Sequence, residues 1–140
     1  MFENDDPVQR KSLIAALTKE GMDAWELNSG GGTMHVIVSL LDYTVDPSIN
    51  TAQDEGLHAE LQKATQTWPY DSNLYIATNS LQTECEIGLM GVDGRTDAQV
   101  ATEEWEPVSS LEEAISVFQR YWNNRDTWLR AYRDRKLSEF

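Results

Sequence analysis

The feature that most constrains the fold of this sequence is a capped amphipathic helix near its C-terminal end. Ser110 followed by Glu113 matches the capping box with which many helices begin. Large apolar side chains then recur along one side of the helix, with Arg125 as an interruption: Leu111, Ile115, Phe118, Trp122, Leu129 and Tyr132. The pattern predicts a single helix from Ser110 to about Lys136. Its apolar stripe has to bury against a surface that the rest of the chain supplies.

Alternating apolar and polar residues predict that this surface is an antiparallel sheet. Four strands are predicted, and a candidate fifth precedes the helix: residues 23–28, 33–41, 73–78, 84–92 and 99–105. The consecutive glycines between the first two strands are typical of a hairpin loop. Residues 79–83 are predicted to form the turn between the third and fourth strands. The strands are therefore expected to follow one another as a meander.

Further helices are predicted before and between these strands. A proline suited to the first helical position and Gly21, suited to the position just past the end, delimit a helix at residues 7–20. Residues 43–72 are interpreted as an insertion, in which helical spacing predicts a helix at 53–67. We therefore expect residues 1–140 to form a single α+β domain, an antiparallel four- to five-stranded meander packed by an N-terminal and a long C-terminal helix.

Acidic and basic residues are separated along the chain. Residues 1–119 hold 21 acidic and 5 basic side chains, residues 120–140 hold 3 acidic and 6 basic ones, and the net charge is −13. An acidic body of this kind repels nucleic acid and anionic membranes and attracts basic surfaces. High acidity with few lysines also suits a protein adapted to high salt. The acidity therefore has two explanations, partner binding and salt adaptation.

The candidate partner-binding site is an acidic stretch around a tryptophan. Its residues lie just before the C-terminal helix and on the turn that precedes it: Asp93, Asp97, Glu103, Glu104, Trp105 and Glu106. The turn lacks the ligand pattern and the central glycine of a calcium loop. An exposed tryptophan among charges is typical of a binding hot spot. A solvated connector is the alternative interpretation.

The candidate ligand-binding site is the glycine-rich loop between the first two strands. Its residues, with the tryptophan of the preceding strand, are Ser29, Gly30, Gly31, Gly32 and Trp25. Consecutive glycines can turn backbone N–H groups toward an anion, but known phosphate loops lead into a helix, and here a strand follows. A structural hairpin is the favoured interpretation. A ligand-contacting loop is the alternative, with Trp25, Trp68, Tyr70 and Tyr75 lining a pocket or a cleft between subunits.

The sequence contains no recognisable catalytic or metal-binding motif. Cys85 and His35 are the one thiol–imidazole pair that could supply a nucleophile and a base, and a lone cysteine in a strand is more often a small buried side chain. Neither His35 nor His58 lies in a metal-binding spacing. We therefore expect no enzyme activity, no metal and no cofactor.

Composition also predicts the cellular compartment and the function. A single cysteine, an N-terminus without a signal-peptide pattern and the lack of a long apolar run predict a cytoplasmic protein with no membrane partner. The expected function is that of a small acidic interaction protein that binds and blocks a basic, nucleic-acid-handling protein as a DNA mimic, without binding nucleic acid itself. Phage and mobile-element inhibitors of host systems, such as anti-defence proteins, have this character. The alternative is an oligomeric module that binds or sequesters a small molecule or nucleotide, with copies joined through the C-terminal helix.

Overall fold

The order of helices and strands follows the predicted α+β pattern. The computed structural model describes residues 9–28, 34–42, 49, 51–67, 73–81, 84–91 and 105–138. Its elements, in chain order, are α1 (Arg10–Lys19), β1 (Ala24–Asn28), β2 (Met34–Asp42), α2 (Glu55–Thr67), β3 (Asn73–Leu81), β4 (Glu84–Met90), β5 (Glu106–Val108), α3 (Leu111–Asn123) and α4 (Arg125–Ser138). The strands form one antiparallel sheet in the order β1-β2-β3-β4-β5. The predicted meander, packed by an N-terminal helix and by helices at the C-terminal end, is confirmed.

The end of α1 is formed by the glycine that the sequence indicates. The backbone of Gly21 has a φ of +92°, a conformation that glycine adopts without strain. The N–H of Met22 donates to the carbonyl of Leu17 at 3.0 Å, and the N–H of Gly21 donates to the carbonyl of Thr18 at 3.0 Å. These two bonds form the Schellman motif that ends many helices. The predicted start of this helix at Pro7 lies outside the described residues.

Two predictions about strand boundaries are wrong. β3 and β4 continue to pair as far as Leu81 and Glu84, so residues 79–81 belong to a strand and not to the predicted turn. Backbone pairing continues here past the apolar alternation on which the prediction relied. The fifth strand is Glu106–Val108, and Trp105 precedes it. Residues 99–104 of the predicted strand lie outside the described part of the chain.

The predicted C-terminal helix is in fact two helices. α3 ends at Asn123 and α4 begins at Arg125, with Asn124 between them. The side-chain amide of Asn124 donates to the carbonyl of Arg120 at 2.8 Å, and the backbone carbonyl of Asn124 accepts the N–H of Thr127 at 3.0 Å. Asn124 therefore ends one helix and begins the next, because its short amide side chain can bond to the backbone nearby.

The buried side of α3 is rotated from the predicted stripe. Its buried residues are Ala114, Val117, Phe118 and Tyr121. Three residues of the predicted stripe are only partly buried: Leu111, Ile115 and Trp122. Because α3 packs against both α1 and the sheet, its buried side faces two surfaces and not one. In α4 the predicted Leu129 and Tyr132 are buried.

The capping box at the start of α3 is present in a modified form. The N–H of Glu113 donates to the hydroxyl of Ser110 at 3.1 Å, as predicted. The carboxylate of Glu113 accepts the hydroxyl of Ser109 at 2.6 Å. This hydrogen bond is the main reason that the pKa of Glu113 lies below its ordinary value. The acid thus stays charged at the positive end of the helix dipole.

The four described helices share one side of the sheet. The main core contains residues from each of them and from one face of the sheet, among them Leu17, Leu61, Ile76, Phe118 and Leu129. The opposite face carries a smaller cluster, in which Trp25, Leu27 and Trp105 pack on Ile37, Tyr75, Ala77 and Met90. No residue of a described helix belongs to this second cluster. We call the surface that carries it the helix-free face.

The described part of the insertion is docked onto α4. The carboxylate of Asp126 accepts the backbone N–H of Gln53 at 2.7 Å and that of Asp54 at 2.9 Å. Leu61 of α2 is fully buried in the main core. The predicted helix in the insertion is therefore present and packed, while the flanking parts of residues 43–72 lie outside the described residues.

Candidate functional site

Trp25 and Tyr75, which the sequence suggests as lining residues of a ligand site, meet on the helix-free face. Their ring centroids are 6.5 Å apart and their planes are at 89°. Tyr75 is buried, and its hydroxyl donates to the carboxylate of Asp42 at 2.8 Å. Trp25 lies on the edge strand β1 and is only half-buried. The partly exposed ring of Trp25 therefore lies against a buried tyrosine, whose hydroxyl is bonded to a buried carboxylate.

An irregularity in β2 brings Asp42 to this face. The register between β2 and β3 shifts between Ser39 and Leu41, as it does at a β-bulge. Leu40 and Leu41 consequently both belong to the main core, and the next residue, Asp42, turns to the helix-free face. Strict alternation, which the sequence pattern suggested, would have placed Leu41 on that face and Asp42 in the core.

Trp105, predicted as the centre of a partner-binding site, lies on the same face. Its ring covers Gly88 of β4 so closely that a Cβ atom at Gly88 would lie 2.9 Å from Cδ2 of the ring. Glycine inside a strand often marks such a close approach. Trp25 and Trp105 thus flank one floor, which consists of Ile37, Tyr75, Ala77 and Met90. Two sites that the sequence suggested separately share one surface.

The other predicted site residues are not brought to this surface by the described structure. Glu106 pairs with Arg120 of α3 and therefore points to the helix side of the sheet, away from Trp105. The remaining predicted residues lie outside the described part of the chain: Ser29, Gly30, Gly31, Gly32, Trp68, Tyr70, Asp93, Asp97, Glu103 and Glu104. The candidate site therefore depends on the two tryptophans and on residues that the sequence did not single out.

Three polar or small residues of the helix-free face were missed by sequence reasoning. Ser39 pairs with Tyr75 across the strands, and its hydroxyl is buried without a hydrogen-bond partner among the described residues. Glu86 alternates along β4 with residues of the main core, so its side chain lies on the helix-free face. Gly88 alone carried a signal, since a glycine within a predicted strand indicates that another group comes close.

The lysines and arginines of the described residues are confined to the helix side of the sheet. Every described lysine and arginine belongs to a helix and none to a strand, while Arg95 lies outside the described residues. Acidic residues of the chain itself hold several of these cations in ion pairs: Arg10 with Glu26, Arg120 with Glu106, Arg130 with Asp54, and Arg133 with Glu60 and Asp134. Exposed pairs of this kind add little stability, but they hold the cations away from the helix-free face.

Cys85 and His35 do not form a nucleophile–base pair. The side chain of Cys85 is fully buried in the main core. His35 lies on the helix-free face, because it alternates with the core residue Val36, and its Nδ1–H donates to the carbonyl of Thr78 at 2.6 Å. Within the described ranges there is also no cluster of three or more metal-ligating side chains. No helix of these ranges is long and apolar enough to cross a membrane.

Comparison with protein-family models, with curated proteins and with solved structures finds no match to this chain. The molecule is therefore described by the arrangement of its side chains on the two sides of the sheet. An aromatic face lies on one side of the sheet with carboxylates beside it, and the described cations are held on the other side.

Proposed function

We propose that this chain is an acidic interaction protein, which binds a basic protein and blocks the surface that this partner uses for nucleic acid. One observation carries the proposal: the described lysines and arginines all belong to helices on one side of the sheet, and ion pairs with the chain's own acids hold four of the arginines there. The opposite side of the sheet is left with carboxylates and aromatic rings. A basic partner can therefore approach that side without meeting a lysine or arginine of the described residues.

The overall charge supports the same proposal. A net charge of −13 attracts a basic surface over a distance and speeds association with it. Duplex DNA carries about one charge per 1.7 Å of its axis, so a groove that binds DNA is rich in lysine and arginine and attracts a dense acidic surface. Charge also supports the more specific form of the proposal, an inhibitor of a host nucleic-acid-handling system carried by a phage or mobile element.

The test compares two triple variants with charge changes of opposite sign. All six positions are exposed: the acid set is Asp23→Asn, Glu55→Gln and Glu112→Gln, and the lysine set is Lys11→Gln, Lys19→Gln and Lys63→Gln. A panel of purified basic DNA-binding proteins, each holding a fluorescent duplex, is titrated with wild type and variants, and fluorescence anisotropy reports release of the duplex. We expect wild type to displace the duplex from at least one panel member, the acid set to do so less well, and the lysine set better.

Two outcomes would contradict the proposal. One is that no panel member releases its duplex at about 50 mM NaCl, where charges are weakly screened. The other is that displacement is unchanged by salt or is equal for the two triple variants, since an electrostatic competitor must respond to both.

Salt adaptation is separated from partner binding by stability. A salt-adapted protein unfolds when salt is withdrawn, because its acidic residues then repel one another without screening. The proposed interaction protein stays folded at low salt. Unfolding by urea at about 10 mM and about 500 mM NaCl distinguishes the two.

The contact between Trp25 and Tyr75 favours a second candidate function, a module that binds a small molecule or nucleotide. Aromatic rings beside a few polar groups are typical of ligand sites. A rise in unfolding temperature with a member of a metabolite and nucleotide library would support this candidate. Assembly through α4 has less support, because Arg125, Arg130 and Arg133 contact α2 and the residues before it.

A further inference from the structure

We infer that two copies of this chain pair through the outer edge of β1, so that their sheets join across a twofold axis at Glu26. The inference goes beyond the proposed function and is independent of it, because it concerns one edge of the sheet and not the acidic surface. It places the contact between copies on a strand, whereas the sequence suggested the C-terminal helix.

The two edges of the sheet differ in how readily another strand can pair with them. β5, at one edge, has three residues and a proline at its centre, Pro107. A proline has no N–H to donate, and it is one of the features that protect sheet edges. β1, at the other edge, has the five residues Ala24–Asn28, contains no proline and pairs with β2 in regular register. Of the two edge strands described, β1 is therefore the one on which a further strand can pair.

Hydrogen bonding within the sheet shows which backbone groups of β1 point outward. The N–H of Val36 in β2 donates to the hydroxyl of Thr78 in β3 at 2.9 Å, so this N–H points away from β1. Because N–H groups alternate in direction along a strand, those of the residues on either side of Val36 point toward β1. Their partners on β1 are Leu27 and Trp25. The outward N–H and carbonyl groups are therefore those of the other three residues of the strand, Ala24, Glu26 and Asn28.

This set of outward groups matches a second copy of the same strand. In an antiparallel pair centred on Glu26, the two Glu26 residues lie opposite each other, and Ala24 of each copy lies opposite Asn28 of the other. All of these positions direct their backbone groups outward, so each opposing pair can exchange two hydrogen bonds. A twofold axis that relates identical surfaces is the commonest arrangement in homodimers. Every outward backbone group of the strand thus finds a partner in the other copy.

The side chains of β1 fit the same register. Trp25 and Leu27 pack against the cluster of the helix-free face, and both are only partly buried within one copy. In the pair centred on Glu26, Trp25 of one copy lies opposite Leu27 of the other. These are non-hydrogen-bonded positions, at which opposing side chains come closest. The dimer therefore contains two apolar cross-strand pairs, which bury surface that the single chain leaves exposed.

The charges at the centre of this edge also complement one another. On the helix side, the carboxylate of Glu26 pairs with the guanidinium of Arg10 in α1. The twofold axis brings two such pairs side by side, which offsets the repulsion between two carboxylates on opposing strands. The net charge of −13 on each copy still opposes association over a distance. The dimer should therefore form more readily in salt, which screens that repulsion.

The first experiment measures association and amide exchange of the wild-type protein. Sedimentation equilibrium is run at about 50 mM and about 500 mM NaCl, with protein at about 5–500 µM, because a small interface gives weak association. We expect a monomer–dimer equilibrium that becomes tighter with salt. The amides of Ala24, Glu26 and Asn28 should exchange fast in dilute protein and more slowly as the dimer forms. Those of Trp25 and Leu27 should be slow throughout, because they bond to β2.

Two results of this experiment would overturn the inference. One is the mass of a single chain at every concentration in about 500 mM NaCl. The other is slow exchange of the Glu26 and Asn28 amides in the dilute monomer, because another segment of the same chain would then occupy the edge.

The second experiment separates the backbone of β1 from its charge. Glu26→Pro removes an outward N–H and obstructs an added strand, while the bonds of Trp25 and Leu27 to β2 remain. It should raise the dissociation constant of the dimer at least about tenfold, since two symmetric hydrogen bonds are lost. Glu26→Gln keeps the N–H and should change the constant by less than about threefold. Equal constants for the proline variant and wild type would contradict pairing through this edge.

The third experiment tests the register by charge complementation, and it does not depend on the proline variant folding. Trp25→Lys and Leu27→Glu each put a charge opposite an apolar residue of an identical copy, so each variant alone should associate about tenfold more weakly than wild type. In a mixture, the new lysine lies opposite the new glutamate, and the second pair of Trp25 with Leu27 is intact. The mixed dimer should therefore form in preference to either homodimer. A mixture that associates no better than the separate variants would overturn the pairing centred on Glu26.

Discussion

Removal of the Asp126 carboxylate tests how the insertion is held against the rest of the protein. This carboxylate accepts the backbone N–H groups of Gln53 and Asp54, at 2.7 and 2.9 Å, across more than seventy residues of sequence. N–H groups at the start of a helix have no partner within the helix itself. Asp126→Ala therefore removes two hydrogen bonds and leaves both N–H groups to water.

The expected loss of stability follows from these two bonds. A hydrogen bond within a protein contributes about 0.5–1.5 kcal/mol net, and an exposed one lies toward the lower end because water replaces the lost acceptor. Two such bonds give a loss of about 1–2 kcal/mol in the free energy of unfolding. For a chain of this length 1 kcal/mol corresponds to about 4 °C, so the unfolding temperature should fall by about 4–8 °C. Asp126→Asn keeps one acceptor oxygen and should lose about half as much.

Urea and thermal unfolding, followed by circular dichroism, measure the loss. Asp134→Ala is the control, because Asp134 lies on the same helix and pairs only with the adjacent Arg133 in the ion pairs of the described residues; its effect should stay within about 0.5 kcal/mol. Amide hydrogen exchange at Gln53 and Asp54 should also become faster in Asp126→Ala. Equal stabilities of the two alanine variants, with unchanged exchange, would refute the role assigned to Asp126.

Three further predictions concern two glycines and one acid. Gly88→Ala forces the ring of Trp105 to move, since the new Cβ would lie 2.9 Å from it. We expect the free energy of unfolding to fall by about 1–3 kcal/mol and the near-ultraviolet circular dichroism spectrum to change. An unchanged spectrum would refute the contact. Gly21→Ala places an L-residue at a φ of +92° and should cost about 1–2 kcal/mol in urea unfolding. The pKa of Asp54 is lowered below its ordinary 3.8, mainly by the N–H of Gly56, so its contribution to stability is complete above that pH and is lost as the pH falls through the lowered pKa. Asp54→Asn should therefore show a smaller change of urea midpoint between pH 7 and pH 2 than wild type.

Signals that act within a few residues predicted most of the elements. Gly21 and Ser110 mark helix ends through bonds to the nearby backbone, so no tertiary information is needed to recognise them. Alternation along the predicted strand 73–78 likewise separates two sets of side chains, because successive side chains in a strand point to opposite sides. Leu74 and Ile76 are in the main core, and Tyr75 and Ala77 are in the second cluster.

The details that local patterns missed depend on contacts between distant segments. Leu41 is in the main core because β2 shifts its register against β3. The alternation of residues along the sequence does not predict that shift. β5 is a three-residue strand that exists through its pairing with β4. The break at Asn124 is an exception, because the hydrogen bonds that form it join Asn124 to its neighbours Arg120 and Thr127.

The candidate site also depends on contacts between segments that are distant in the sequence. Trp25 and Trp105 are far apart in the sequence, and they were assigned to different sites because nothing local relates them. The meander places β1 and β5 at the two edges of one sheet, and both rings then lie on the same face. That the two tryptophans share a surface is a property of the topology.

By itself, the sequence determined the net charge, the main helices and strands, and the alternation that gives the sheet two distinct faces. Only the tertiary structure decided where the charges lie. Every described lysine and arginine is in a helix, and the helices pack on one face of the sheet because their apolar sides need that face for burial. Asp42, Glu86 and the two tryptophans are left on the other face. The described basic residues therefore lie on one side of the sheet, together with the acids that pair with them.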